Sequence, residues 1–470
     1  MPKKTINKKI LPKFLLLGFF LFLWFSPPPN GLTLEAWHLF AIFITTISTT
    51  VFKFLNVFTV SILSLSFTIL TKTLAPNVAY SGFSKDTILL IVVAFIIAKA
   101  VVKSGLGNRI ACHIVSKIGQ STLGLAYSAI ITDCLIGPAF PSNTARSGVL
   151  YPIIEGLALT NKSSPKDGTE NRIGKYLMMN SLAGLSISSA LWLTGMVTNI
   201  VGAGLAKNFG IQITFSTWFL NALVPSSVAL AILPWLLKKM LKPQIEKSPQ
   251  APLIAKKKLQ EMGPTSTQEK VVALTFFLMV LSWSLSEVFF VDKTAVSFLG
   301  LGALMLFKVI EVKDIKNEGN ALVILIWFAV LYTLSAQLSE LGFMKYIGNI
   351  IASSLKDFNW LFAYIILIIS YILAHYLFVS QSAHLLALFG IFLQVGIDLG
   401  IPSIMFCYML LFATNFFSAL TPQASSANII FIASDYIKTS EVYKFGAIIT
   451  LVNTFIYLTL GSFWIYFLNY

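Results

Sequence analysis

Long apolar runs alternate with short polar gaps along the whole chain. A helix needs about 20 apolar residues to cross the hydrocarbon core of a bilayer. Runs of that kind occupy roughly 11–26, 33–52, 55–72, 86–103, 175–207, 216–237, 270–290, 295–310, 320–338, 403–434 and 443–468. Two further apolar stretches, 121–157 and 357–400, are too long for one crossing, and small and polar residues interrupt each near its middle. The pattern predicts an all-α polytopic membrane protein with about 11 transmembrane helices and two re-entrant hairpins.

Composition agrees. Hydrophobic residues make up 56% of the 470 and charged residues only 11%. Such a surface is too poor in charge for a soluble enzyme, a nucleic-acid binder or a disordered scaffold. The formal charge of +15 collects in the gaps between apolar runs, where it sets orientation and attracts anionic lipid rather than nucleic acid. Cys112, Cys134 and Cys407 show no paired spacing, so neither a disulfide framework nor a zinc motif is expected. Lys3, Lys4, Lys8 and Lys9 place the N-terminus in the cytoplasm, and no small-residue cleavage site follows the first run. Traced from there, Lys99, Lys103, Arg109 and Lys117 fall on the same side, as do Lys162, Lys166, Arg172 and Lys175. Tyr470 then lies outside, in a multi-pass protein of the cell (inner) membrane. The basic gap 241–269, with Pro243, Pro249 and Pro252 to discourage a helix, reads as a cytoplasmic linker between halves 1–240 and 270–470.

The halves repeat a pattern. One span ends in Lys103-Ser104-Gly105-Leu106-Gly107, and its interrupted stretch holds Pro141-Ser142-Asn143-Thr144-Ala145-Arg146. The other ends in Leu338-Ser339-Glu340-Leu341-Gly342, and its stretch holds Val379-Ser380-Gln381-Ser382-Ala383-His384. Both read Ser, amide, hydroxyl, Ala, base. One stretch enters from the cytoplasm and the other from outside, as inverted repeats require. Polar residues at that depth are tolerated only against protein or a water-filled cavity. Hairpin tips of this kind present hydroxyls, amides and helix N-termini suited to an anion such as a carboxylate.

Each half also has a second break. It spans 193–199 in the first, including Thr194, Gly195 and Asn199, and 420–428 in the second, including Thr421, Pro422, Ala424 and Asn428. Gly, Pro and Ser at this density unwind a helix locally, Pro422 is the firmest signal, and Thr421 and Pro422 are expected to touch the substrate. The first break lacks proline and is equally readable as a kink or a small-residue packing seam.

Pro138 through Arg146, His375 through His384, Leu420-Thr421-Pro422 with Asn428, and Trp327-Phe328-Ala329-Val330-Leu331 together resemble the divalent anion:sodium symporter family. The 2-oxoglutarate/malate translocators are the most similar branch, and the likeness runs from about residue 33 to the C-terminus. The resemblance implies a homodimer, each protomer with a scaffold domain and a mobile transport domain that moves like an elevator. It implies that Ser142-Asn143-Thr144 and Ser380-Gln381-Ser382 hold the substrate carboxylates. It also implies unwound segments around Gly195 and Ala424, with sodium expected near Ser142, Asn143 and Gly195 if sodium is used. The chain departs from the sodium-coupled pattern at Pro138 and Tyr376, where a hydroxyl is usual, and in a Gln-Ser second tip.

Arg146 and His384 occupy equivalent positions after the tips. An intramembrane cation is a functional candidate, and this pair can supply the charge that sodium supplies elsewhere, favouring sodium-independent exchange of dicarboxylates. The alternatives are that Arg146 bonds hairpin carbonyls or Asp133, and that His384 is a neutral core histidine. The competing carrier reading is a sodium-coupled dicarboxylate or sulfate symporter. No cofactor is expected. No HExxH motif, Gly-x-Ser-x-Gly elbow or intramembrane aspartate pair suggests an enzyme, and two unlike hairpins suit alternating access better than a symmetric channel.

Overall fold

The computed structural model describes residues 11–470, so Lys3, Lys4, Lys8 and Lys9 lie outside the described residues. In hydrocarbon every backbone N–H and C=O needs a partner within its own segment or from neighbouring protein, and the apolar runs meet this demand as helices. The first half contains α1 (Leu11–Phe25), α2 (Leu34–Val51), α3 (Val57–Leu70), the single turn α4 (Pro76–Ala79) and α5 (Asp86–Ser104). It continues with α6 (Leu106–Ile118), α7 (Thr122–Ile136), α8 (Asn143–Thr160), α9 (Gly174–Leu191), α10 (Val197–Ala206) and α11 (Phe215–Leu241). Helix α12 (Gln250–Glu261) lies between the halves. The second half contains α13 (Thr267–Ser284), the turn α14 (Ser286–Phe289), α15 (Lys293–Leu306), the turn α16 (Val312–Lys316), α17 (Gly319–Glu340) and α18 (Phe343–Leu355). It ends with α19 (Trp360–Ala374), α20 (Gln381–Asp398), α21 (Ser403–Phe416), α22 (Ser426–Ile432), α23 (Thr439–Ile456) and α24 (Ser462–Asn469). No β-strand occurs among the described residues. Among the described residues eight stretches are long and apolar enough to cross a membrane, and four shorter apolar helices accompany them.

The order long helix, short helix, hairpin, interrupted helix runs from α5 to α10 and again from α17 to α22. In both copies the chain leaves the long helix and enters the short one on a glycine in the left-handed region, Gly105 at φ +78° and Gly342 at φ +81°, which only glycine adopts without strain. The helices that follow, α6 and α18, are short and one-sided, and the apolar-run pattern did not single them out. Basic residues on α5 tie down the loop before α17. Lys103 bonds Asp314 at 2.7 Å and holds its carboxyl below the usual range, and Lys99 reaches Glu318 at 2.9 Å.

The linker departs from expectation, because its central part is helical. Pro249 precedes α12 and Pro252 sits in its first turn, where a missing N–H costs nothing since the first N–H groups have no intrahelical partner. Helix α12 packs along α6. Arg109 of α6 crosses to the far end of the linker, donating to Glu269 Oε1 at 2.6 Å and to the Gly263 and Met262 carbonyls at 3.0 and 3.4 Å. Glu269 also closes a capping box with Ser266. On the near side, Ser248 Oγ donates to Asn161 Oδ1, and Thr122 Oγ1 donates to the Ile245 carbonyl. The linker is a brace across the base of the first hairpin.

Arg109→Ala leaves the carboxylate of Glu269, 3% exposed, without its cation. Removing one partner of such a pair costs about 3 kcal/mol or more. The thermal midpoint of the purified protein in detergent should fall clearly, and fall less in Glu269→Gln. An unchanged midpoint in Arg109→Ala would show that the brace contributes nothing to stability.

Candidate functional site

Both hairpins turn through one 3-10 turn and a short extended segment before the second arm begins. In the first, α7 ends at Ile136, residues 137–139 turn, and α8 starts at Asn143. Ser142 caps α8, its Oγ accepting from the Ala145 N–H at 3.2 Å. In the second, residues 375–377 turn and α20 starts at Gln381. Ser380 stands at the cap position, but its side chain makes no capping bond. That leaves the hydroxyl and the first N–H groups of α20 available to a ligand.

The interrupted helices are repaired by the same device twice. Asn199 donates through Nδ2 to the Ser189 carbonyl at 2.8 Å and to the Trp192 carbonyl at 3.0 Å. Asn428 donates to the Ser418 carbonyl at 2.7 Å and to the Thr421 carbonyl at 3.0 Å. Each asparagine thus reaches the carbonyls ten and seven residues before it. The first interruption is a complete break at residues 192–196, even without proline. Gly195 is needed there, because a Cβ would lie 2.9 Å from the Ser189 carbonyl oxygen.

The two tips and the two breaks enclose a cavity of about 280 Å³. Its polar wall is Ser142-Asn143-Thr144, Ser380-Gln381-Ser382, Thr198, Ser425 and Ser426, and its apolar wall includes Phe95, Trp327 and Phe328. Ala424 also faces it. Among the described residues no charged side chain does. The N-termini of α8, α10, α20 and α22 open on the cavity, and each adds positive potential and N–H groups. The arrangement suits a small anion.

Several residues singled out in the sequence stand behind this wall. Gly195, Asn199, Thr421, Pro422 and Asn428 shape the breaks without lining the cavity. Arg146 is fully buried, with Nη1 3.5 Å from Asp133 Oδ2. Its Nη2 donates to Asn143 Oδ1 at 2.8 Å and to the Leu185 carbonyl at 3.3 Å, and Ser188 donates to the same Asp133 Oδ2 while accepting from Arg146 Nη1 at 3.4 Å. Of the two readings of Arg146, pairing with Asp133 is the observed one. Its contact with the cavity passes through Asn143. His384 is likewise fully buried, its Nδ1 3.4 Å from His375 Nδ1, among the rings of Tyr371, Phe378 and Phe417.

The two supports occupy equivalent places. Asp133 and Tyr371 each lie nine residues before a tip serine, and Ser188 and Phe417 each lie eleven before a capping asparagine. One half packs an ion pair with a hydroxyl, and the other an imidazole between aromatic rings. Thr198, Ser425 and Ser426 fall within the two breaks and His375 within the second tip motif read from the sequence, although none was singled out individually as a neighbour of the site. The sequence reading missed Asn415, whose Nδ2 donates to Asn199 Oδ1 at 2.8 Å, and the bond between Thr144 and Ser426 across the halves. Nothing local marks Asn415 or that bond. Among the described residues no cluster of three His, Cys, Asp or Glu side chains could hold a metal ion. The Pro138 and Pro141 carbonyls already accept from Thr194 Oγ1 and Val197 N–H.

A family model described as the sodium:sulfate symporter transmembrane region matches residues 7–470. The chain is 39% identical over 458 residues to the "Putative malate transporter YflS" of Bacillus subtilis (strain 168), covering 97% of this chain and 96% of that protein. It is 36% identical over 469 residues to dicarboxylate transporter 2, chloroplastic, of Spinacia oleracea, covering 98% and 83%. It is 30% identical over 475 residues to the citrate/succinate antiporter of Escherichia coli (strain K12), covering 96% of each.

Arg146→Gln strands the Asp133 carboxylate in the core, at a cost of about 3–5 kcal/mol, and should sharply lower the yield of folded protein on size exclusion. Adding Asp133→Asn removes the stranded charge and should recover much of the thermal midpoint. A double variant as unstable as the single one would show that pairing is not what Arg146 contributes.

Proposed function

The chain belongs to the sodium:sulfate symporter family, whose members are membrane transporters and not enzymes, and from that premise we propose that it exchanges small dicarboxylates such as malate and 2-oxoglutarate across the cell membrane. The observation that carries this reading is the cavity itself. Two hairpin tips, each with a serine, an amide and a second hydroxyl, bound one uncharged space. A dicarboxylate has two ends to match. Ser142, Asn143 and Thr144 take one carboxylate, and Ser380, Ser382 and the first N–H groups of α20 take the other. Arg146 and His384 hold the tips from behind, and Thr421, Pro422, Gly195, Asn199, Ala424 and Asn428 keep the breaks open. The relatives are named as malate, dicarboxylate and citrate/succinate carriers, which supports the substrate class.

Exchange follows from desolvation. Empty, the cavity presents oriented donors and helix ends whose transfer away from water is costly. A bound dianion satisfies them. Return of the loaded carrier is therefore easier than return of the empty one, and an antiporter among the relatives supports the same view. In this reading hairpins, α9–α10 and α21–α22 travel together against the apolar wall of α5 and α17, as an elevator within each protomer of a homodimer. The N-terminus is cytoplasmic and the C-terminus outside. The hydrogen bonds that the Pro138 and Pro141 carbonyls already accept and the missing hydroxyl at residue 138 favour transport without sodium.

Purified protein in sodium-free liposomes loaded with malate should take up labelled 2-oxoglutarate, and liposomes without internal dicarboxylate should take up little. Strict sodium dependence with no need for internal dicarboxylate would sink the exchange reading. Asn143→Ala removes a donor to a charged group and should cut uptake about tenfold or more.

A further inference from the structure

The two tips match in sequence, yet their amides point opposite polarities at the cavity. Asn143 Oδ1 accepts from Arg146, so the amide turns its Nδ2 away from the guanidinium. That nitrogen has only Met196 Sδ nearby, at 3.4 Å, and remains a donor for a ligand. Gln381 is held the other way. Its Nε2 donates to the Thr414 carbonyl at 2.7 Å and to the Asn415 carbonyl at 3.4 Å. Both N–H bonds are spent on α21. A flipped amide would set two oxygens against each other at 2.7 Å, so the orientation is fixed by its neighbours. Oε1 accepts no hydrogen bond from the protein and is not among the fully buried unpartnered atoms. It is the polar atom that Gln381 offers to the cavity.

A carbonyl oxygen cannot bond a carboxylate. It needs a donor from the ligand. Beside it lies the N-terminus of α20, whose cap serine makes no capping bond, so a carboxylate can rest on the N–H groups there. A carboxylate with a hydroxyl on the next carbon satisfies both neighbours at once. Building on the dicarboxylate reading above, we propose that Gln381 is a specificity-determining residue and selects 2-hydroxy dicarboxylates, the hydroxyl end bound at the second tip. The first tip, where the Asn143 amide offers its N–H groups and the Ser142 hydroxyl, which accepts from Ala145, still has its proton to donate, takes the plain carboxylate end. A 2-oxo acid brings no donor to Oε1 and binds as the weaker exchange partner.

The test uses the intact protein in sodium-free liposomes loaded with malate, with unlabelled competitors against labelled succinate uptake. The competitors are malate, succinate and 2-fluorosuccinate, whose fluorine is close to a hydroxyl in size but donates nothing. One hydrogen bond between neutral groups corresponds to a preference of about 2- to 10-fold, so malate should half-inhibit at a concentration lower by that factor than the other two. In Gln381→Met all three should weaken and the malate advantage should shrink to about one, a change that a loss of folded protein alone cannot produce. Equal inhibition by malate and 2-fluorosuccinate in the unaltered protein overturns the proposal, with no variant needed. So does a malate advantage that survives Gln381→Met. A protein that takes up no dicarboxylate overturns the transport reading and this proposal together, and is distinguished by the absence of any signal to compete with.

Discussion

Hydrocarbon offers no partner to a peptide group, and that constraint governs everything around the cavity. Where α9 and α21 stop inside the bundle, their last carbonyls lose the helical N–H groups that would have closed them. Asn199 and Asn428 supply the missing donors from the next helix, each spanning the break with a single side chain. Because the asparagines sit at the starts of α10 and α22, closing the carbonyls also fixes where those helices begin. Their N-termini then face the cavity. The repair of the backbone and the placement of these helix ends at the cavity are one event.

The same economy explains why no charged side chain lines the cavity. A cation on its wall would have to be desolvated whenever the site was empty, at a cost of several kcal/mol. Helix ends and hydroxyls give positive potential in smaller portions. The full charge of Arg146 is kept behind the wall, matched by Asp133, and reaches the site only as the orientation of the Asn143 amide. Asn415 joins the cap of one half to a helix of the other, and Thr144 meets Ser426 across the same boundary. The site is therefore shared between the halves, and neither half contains it alone.

Much of this was legible in the chain. Run length marked the long helices, polar interruptions marked the tips at Ser142 and Ser380, and Gly195 and Pro422 marked the breaks. These signals are local, arising from how a segment of given hydrophobicity and flexibility behaves. What could not be read depended on contacts between segments distant in sequence. The helix at 250–261 was hidden by prolines that prove harmless in a first turn. The direction of Arg146 is set by an acid on the other hairpin arm, and the opposite polarity of Asn143 and Gln381 by what happens to stand behind each amide. Matched motifs suggested matched roles, and the packing behind them differs.

The contrast between Asp133–Arg146–Ser188 and Tyr371–His384–Phe417 also bears on the history of the chain. Two copies of one element bury the second arm of a hairpin at corresponding positions, one with an ion pair and the other with an imidazole set edge-on and tilted against aromatic rings. No single substitution converts one arrangement into the other, because every intermediate leaves either an unpaired charge or a void in the core. Once the halves had diverged at these triads, selection could no longer trade parts between them. Each half is committed to its own solution, and the amides of the two tips present opposite polarities to the cavity.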